Sequence, residues 1–225
     1  GIVVDSAGTI WAGTRAGLAR LNYKDTSFQI YHGEKSETSL TGEEIECVYL
    51  NAVKKLLWIG TPSGVSMLDT SQRWFTHLYP SSGSPSNLAG RMVRGFAAGE
   101  NADSVLACTD RALEQVDLRT NKVVARYEAD TFNSLEINAA LTDRSGNLWV
   151  GTDSGLHRRA NGASQFKPFC PLHLQDGVTN LLEDSKGRLW IGTESSGLAV
   201  CHTSADPDRA SLGRVFGNTD KTPAP

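Results

Sequence analysis

Apolar residues recur along the chain in short runs, separated by clusters of Gly, Asp, Asn, Ser and Pro. Runs of that length are strand-sized, and no stretch sustains a helical period. Four runs share one spelling. Trp11-Ala12-Gly13-Thr14 is followed by Gly17-Leu18, and Trp58-Ile59-Gly60-Thr61 by Gly64-Val65. Trp149-Val150-Gly151-Thr152 is followed by Gly155-Leu156, and Trp190-Ile191-Gly192-Thr193 by Gly197-Leu198, with one extra Ser. A worn copy, Leu106-Ala107-Cys108-Thr109 followed by Ala112-Leu113, lies between the second and third of these. Anchors at 11, 58, 106, 149 and 190 divide the chain into five units of about 45 residues. That period suits a four-stranded propeller blade.

Each unit predicts four short strands. The first places apolar residues six and three positions before an acid or amide: Ile45, Val48 and Asn51; Ile137, Ala140 and Asp143; Val178, Leu181 and Asp184. An odd offset of three puts the two apolar residues on opposite faces, as in an inner strand buried on both sides. The turn that follows reads Asp5 to Gly8, Asp143 to Gly146 or Asp184 to Gly187. Asp can accept from the backbone two residues on and Gly can take a positive φ, so these are hairpins. The second strand holds the Trp and the third opens on Gly-Leu. The fourth carries aromatics: Phe28 and Tyr31, Trp74 and Phe75, Phe166 and Phe169, and Phe216. The expected fold is an all-β propeller with five four-stranded antiparallel blades, at about 1–39, 40–87, 88–134, 135–175 and 176–225.

The spacing Asp-x-x-Gly-x-Leu/Ile-Trp-x-Gly-Thr-x-x-Gly-Leu resembles the two-component regulator propeller repeat. The resemblance runs from end to end, with four good copies and one degenerate. It implies a sensor region of a bacterial hybrid histidine kinase or diguanylate cyclase, in which the propeller lies in the periplasm of a dimeric receptor and relays ligand binding inward. Rings of this family typically have seven blades, so the chain is expected to be five consecutive blades of a longer sensor. Kinase or cyclase chemistry would belong to other domains of such a receptor, and the membrane would be reached only through other segments.

Composition narrows the function. Net charge is −3, from 22 basic and 25 acidic residues mixed along the chain. Without a block of Lys and Arg to track phosphates, nucleic acid is not an expected partner. No apolar run approaches the roughly 20 residues that cross a bilayer. The chain shows no initiating Met and no signal segment, as expected of an excised or mature piece. Cys47, Cys108, Cys170 and Cys201 are irregularly spaced and form no disulfide framework. Cys170 and His173 with Cys201 and His202 present zinc-type donors on paper, but adjacent strand residues point to opposite faces. No metal or cofactor is expected.

No motif of a hydrolase, zinc protease or nucleotide-binding loop is present. The repeated Trp, Gly and Asp occur in every blade and belong to its architecture: Trp fills the wedge between sheets and Gly lets the neighbour approach. Discrimination must therefore come from residues that differ between blades. Loops from strand four to strand one, and from strand two to strand three, share the face opposite the Asp-x-x-Gly hairpins, where propeller ligands commonly bind. Non-repeated residues assigned there are Arg15, Glu43, Arg91, Arg111, Asn138, Asp153, Asp176 and Glu194. Their mixture of donors and acceptors suits a small polar ligand such as a glycan. Two other functions stay open. One is a lyase similar to streptogramin lyase, for which His157 is the histidine nearest a repeat landmark. The other is a protein-binding scaffold.

Overall fold

A computed structural model describes residues 1–23, 25–33, 39–71, 74–81, 84–169, 176–202 and 214–216. Two compact units divide the chain, Gly1–Tyr127 and Glu128–Pro225. The first holds three sheets. They comprise β1 (Ile2–Val4), β2 (Ile10–Thr14), β3 (Gly17–Asn22) and β4 (Ser27–Tyr31); β5 (Cys47–Asn51), β6 (Leu56–Thr61), β7 (Gly64–Asp69) and β8 (Phe75–Leu78); and β9 (Val93–Ala98), β10 (Ser104–Thr109), β11 (Ala112–Asp117) and β12 (Lys122–Glu128). The second unit holds two: β13 (Ile137–Thr142), β14 (Leu148–Thr152), β15 (Gly155–Arg159) and β16 (Lys167–Pro168); and β17 (Val178–Glu183), β18 (Arg188–Thr193), β19 (Leu198–His202) and β20 (Arg214–Phe216). Each sheet is antiparallel with its strands in chain order. This is the blade of a β-propeller. The described residues contain no α-helix, only a 3-10 turn at Ala129–Phe132.

The repeated Asp builds the first hairpin. Asp143 Oδ1 accepts from the amides of Ser145 and Asn147, both at 2.9 Å, while Oδ2 accepts from Trp149 Nε1 at 2.8 Å. Asp5 and Asp184 do the same for Trp11 and Trp190. Gly146 closes the turn at φ +79°, a conformation that a side chain disfavours. The second blade departs from this pattern. Its turn runs from Asn51 to Trp58, one residue longer, and Asn51 Oδ1 accepts from Lys54 N. The buried Trp58 Nε1 has no hydrogen-bond partner among the described residues.

Sheets within each unit pack face to face through the repeated Trp. Trp11, Leu18 and Leu40 form one apolar cluster with Ile45, Leu57, Ile59 and Leu68. In the second unit, Trp149, Leu156 and Phe169 cluster with Val178, Leu189 and Ile191. The Gly two residues after the Trp admits the next blade. A Cβ at Gly151 would stand 2.5 Å from Val178 Cγ1, and one at Gly13 would stand 2.5 Å from Ile45 Cγ2.

The face assignment of the first strand needs correction. Ile45 and Val48 both pack beside Gly13 in the Trp11 cluster, and Val178 and Leu181 both join the Trp149 cluster. For Val178 and Leu181 a β-bulge is the reason, whereas Ile45 lies in the loop before β5. In β17 the pairing steps from Val178↔Thr193 to Asn180↔Gly192, which leaves Thr179 unpaired and brings residues three apart onto one side. The register of β9 and β13 shifts in the same way. Strand β5 is still apolar on both faces, but through alternate residues: Val48 and Leu50 face Trp11, while Cys47 and Tyr49 face Trp58. The same bulge corrects the placement of Asn138. It is the residue skipped between Ile137↔Thr152 and Ala139↔Gly151, within β13 and not in a loop.

Candidate functional site

Strand two of each blade ends in Thr, whose hydroxyl closes the turn into strand three. Thr14, Thr61, Thr109 and Thr152 each donate to the carbonyl of the residue that opens strand three, and Thr193 to that of Gly197 just before it, at 2.8–3.1 Å. In the third, fourth and fifth sheets the residue after this Thr (Asp110, Asp153 and Glu194) is set against the loop that enters the same sheet's first strand. That loop and that turn together form the face on which the candidate residues were placed.

In the first unit, Arg15 lies in the β2–β3 turn and pairs with Glu44 at 3.6 Å, on an open surface where such a pair contributes little. Glu43 is exposed in the loop entering β5. Arg91 and Arg111 come together. They line one cavity of about 330 Å³ with Pro80, Ser81, Ala89 and Asp110. The cavity draws on the strand-four exit after β8, the loop entering β9 and the β10–β11 turn.

In the second unit, two of the predicted acids serve the loops themselves. Asp153 accepts from Ser134 Oγ and from Leu135 N. Burial works to raise its pKa, but these bonds outweigh it and hold the carboxyl below its ordinary value. Asp176 Oδ2 accepts from the amides of Ser195 and Ser196 at 2.8 and 2.6 Å, which likewise outweigh burial and hold it far below the ordinary range. Glu194 is exposed, with its chain packed over Gly177. Cys170 and His173 lie outside the described residues.

The β9 entry loop has a built anchorage at Asp110, a residue outside the set singled out from the sequence. Asp110 Oδ1 accepts from Arg91 N at 2.8 Å and from Met92 N at 3.2 Å. Asp110 holds the same place in its blade as Asp153, so alignment of Thr109-Asp110 with Thr152-Asp153 carried the signal. Beneath the loop lies Glu114, fully buried on β11. Its oxygens accept from Ala89 N at 3.0 and 3.2 Å and from Arg126, whose Nη2 stands 2.8 Å away. Arg126 in turn donates to the carbonyl of Asn87 at 2.5 Å. A buried charge needs a partner and further hydrogen bonds, and here both come from the loop and the adjacent strand.

His157 lies inside β15, buried, its ring edge-on to Phe132 at 5.3 Å. Burial holds its pKa below the ordinary imidazole value. Among the described residues, no three His, Cys, Asp or Glu side chains are grouped to hold a metal ion.

Residues 131–154 and 174–195 match the model of the two component regulator propeller family. A comparison with curated proteins returns no match. Among solved structures, the chain is similar to the extracellular domain of a hybrid two component system from B. thetaiotaomicron, at 26% identity and a TM-score of 0.78, over 90% of this chain and 28% of that one. A second such extracellular domain from the same organism matches at 23% identity and a TM-score of 0.71, over 97% and 28% of the two chains. A gluconolactonase from Xanthomonas campestris shares the fold at 14% identity and a TM-score of 0.64, over 94% and 71%. The chain thus spans less than a third of the length of the two extracellular domains it matches. The repeated residues and the blades they build agree with the comparisons: the chain is a β-propeller segment in which residues 131–154 and 174–195 match the two component regulator propeller model.

Proposed function

We propose that this chain is part of the extracytoplasmic, ligand-sensing propeller of a bacterial signalling receptor of the two-component or cyclic-dinucleotide type, and that this segment is non-catalytic. The observation that carries the proposal is the division of labour within the repeat. Shared Asp, Trp, Gly and Thr residues are used up in hairpins and sheet packing, while the loops of one face vary in charge from blade to blade. A small polar ligand such as a glycan would be read by those loops, with Arg91 and Arg111 foremost. The likeness to extracellular domains of hybrid two component systems supports a location outside the inner membrane. The lyase reading would need a histidine open to substrate, and His157 is buried against Phe132.

The test is a calorimetric screen of neutral and acidic saccharides, run beside turnover assays that include lactone hydrolysis. Saturable binding without turnover is expected. Multiple turnover of any screened compound would replace sensing with catalysis.

A further inference from the structure

We infer that the cleft shared by Arg91 and Arg111 binds a saccharide bearing a single carboxylate. The inference rests on the sensing function proposed above and names the ligand class of one site within it.

Three features point to that chemistry. First, both arginines line the same cavity, and neither guanidinium makes an ion pair among the described residues. A guanidinium presents a planar fork of donors that matches a carboxylate in two parallel hydrogen bonds. Arg111 stands where three other blades carry Ala16, Ser63 or Ser154, so blade architecture does not require it. Second, Asp110 stands in the same cavity with only Oδ1 engaged by the loop amides. Its charge offsets one of the two arginines, which leaves a net charge suited to a monoanion and unfavourable to a dianion such as phosphate. Oδ2 remains to accept from a hydroxyl, which a sugar supplies. Third, the cavity is held in shape. Asp110 fixes the amides of residues 91 and 92, and the buried Glu114–Arg126 pair fixes Asn87 and Ala89. Gly90 is required there, because a Cβ would stand 2.4 Å from both Asp110 Oδ1 and Thr109 Oγ1. At about 330 Å³ the cleft lies within the size range of small-molecule sites.

Calorimetry with the whole chain tests this, using D-galacturonate, D-galactose and inorganic phosphate at pH 8. Galacturonate should bind at least tenfold more tightly than galactose or phosphate, and more weakly as salt is raised. Arg111→Ala and Arg91→Ala should each cost tenfold or more in galacturonate affinity with unchanged circular dichroism and melting temperature. Arg111→Lys, which keeps the charge and loses the fork, should fall between. Equal binding of galactose, or full retention of galacturonate binding in both alanine variants, overturns the acidic site while leaving sensing at another loop intact. Phosphate binding as tight as galacturonate also overturns it. If neither galacturonate nor galactose binds the wild-type chain, the acidic site is overturned, and the sensing function is decided separately by the wider saccharide screen.

Discussion

The indole Nε1–H of Trp149 donates to Asp143 Oδ2 at 2.8 Å, so the carboxylate that folds the first hairpin also orients the ring that fills the space before the next sheet. Local turn chemistry and long-range packing therefore share one residue. Asp143 is itself buried and also accepts from Asn147 Nδ2. Asp143→Ala should destabilise by about 3 kcal/mol or more, because each buried donor left without a partner costs about 1–3 kcal/mol. Urea unfolding followed by tryptophan fluorescence measures this, and a loss below about 1 kcal/mol would show that the ring holds its place without the carboxylate.

The second blade offers an internal control. Trp58 fills the same wedge without the hydrogen bond. Trp58→Phe should therefore be milder than Trp149→Phe by about 1.5–3 kcal/mol, the worth of a hydrogen bond to a charged group. Equal losses in the two variants would mean that ring volume alone matters.

Gly151 and Gly192 occupy the same place in the repeat, yet they face different surroundings. A Cβ at Gly151 meets Val178 Cγ1 at 2.5 Å, whereas at Gly192 the nearest atom is Asn180 Cβ at 3.3 Å. Gly151→Ala should cost about 1–3 kcal/mol through overpacking, and Gly192→Ala well under half of that. Gly151→Ala melting at the wild-type temperature would contradict the close approach.

Glu114 is fully buried beside Arg126 and carries the amide of Ala89. Glu114→Ala strands the guanidinium and the loop together, for an expected loss of about 3–5 kcal/mol. Replacing Glu114 and Arg126 together by Leu and Met should recover much of that loss, since no charge is then left without its partner. Denaturant midpoints of the single and double variants decide it.

Acid should weaken the fold through its hairpin carboxylates. The Trp190 indole holds Asp184 well below the ordinary value of 3.8, against the opposing effect of burial, with the amides of Arg188 and Lys186 adding to the lowering. Asp5 is lowered as well: burial works against the shift, and the Trp11 indole and the amides of Thr9 and Ala7 outweigh it. A depressed folded-state pKa contributes stability that is present above the unfolded value and lost as pH falls through the folded one. Stability should thus hold at pH 5 and above and decline below about pH 4. Asp184→Asn should flatten that decline. An unchanged slope between pH 5 and pH 2 in the variant would remove Asp184 from the account.

Repetition is what made the architecture legible. Spacings such as Asp143 to Trp149 and Trp149 to Gly155 are set within neighbouring hairpins, so local turn chemistry was enough to place the strands and turns of a four-stranded repeat in the chain. The six-residue interval between Asp and Trp was visible too, as was its lengthening to seven at Asn51 and Trp58, but only the folded backbone shows the carboxylate meeting the indole. The bulge was beyond reach for a different reason. An extra residue such as Thr179 or Asn138 is extra only relative to its partner strand, and the offset between Val178 and Leu181 reads as two faces until that register is known. The arginine cleft belongs to the same class. Arg91 and Arg111 stood out in the sequence as unshared residues, but a carboxylate from the turn and a buried Glu114–Arg126 pair from two strands bring them to one cavity. Contacts among residues 80, 91, 110, 114 and 126 depend on how strands and loops are packed, which no local spacing encodes.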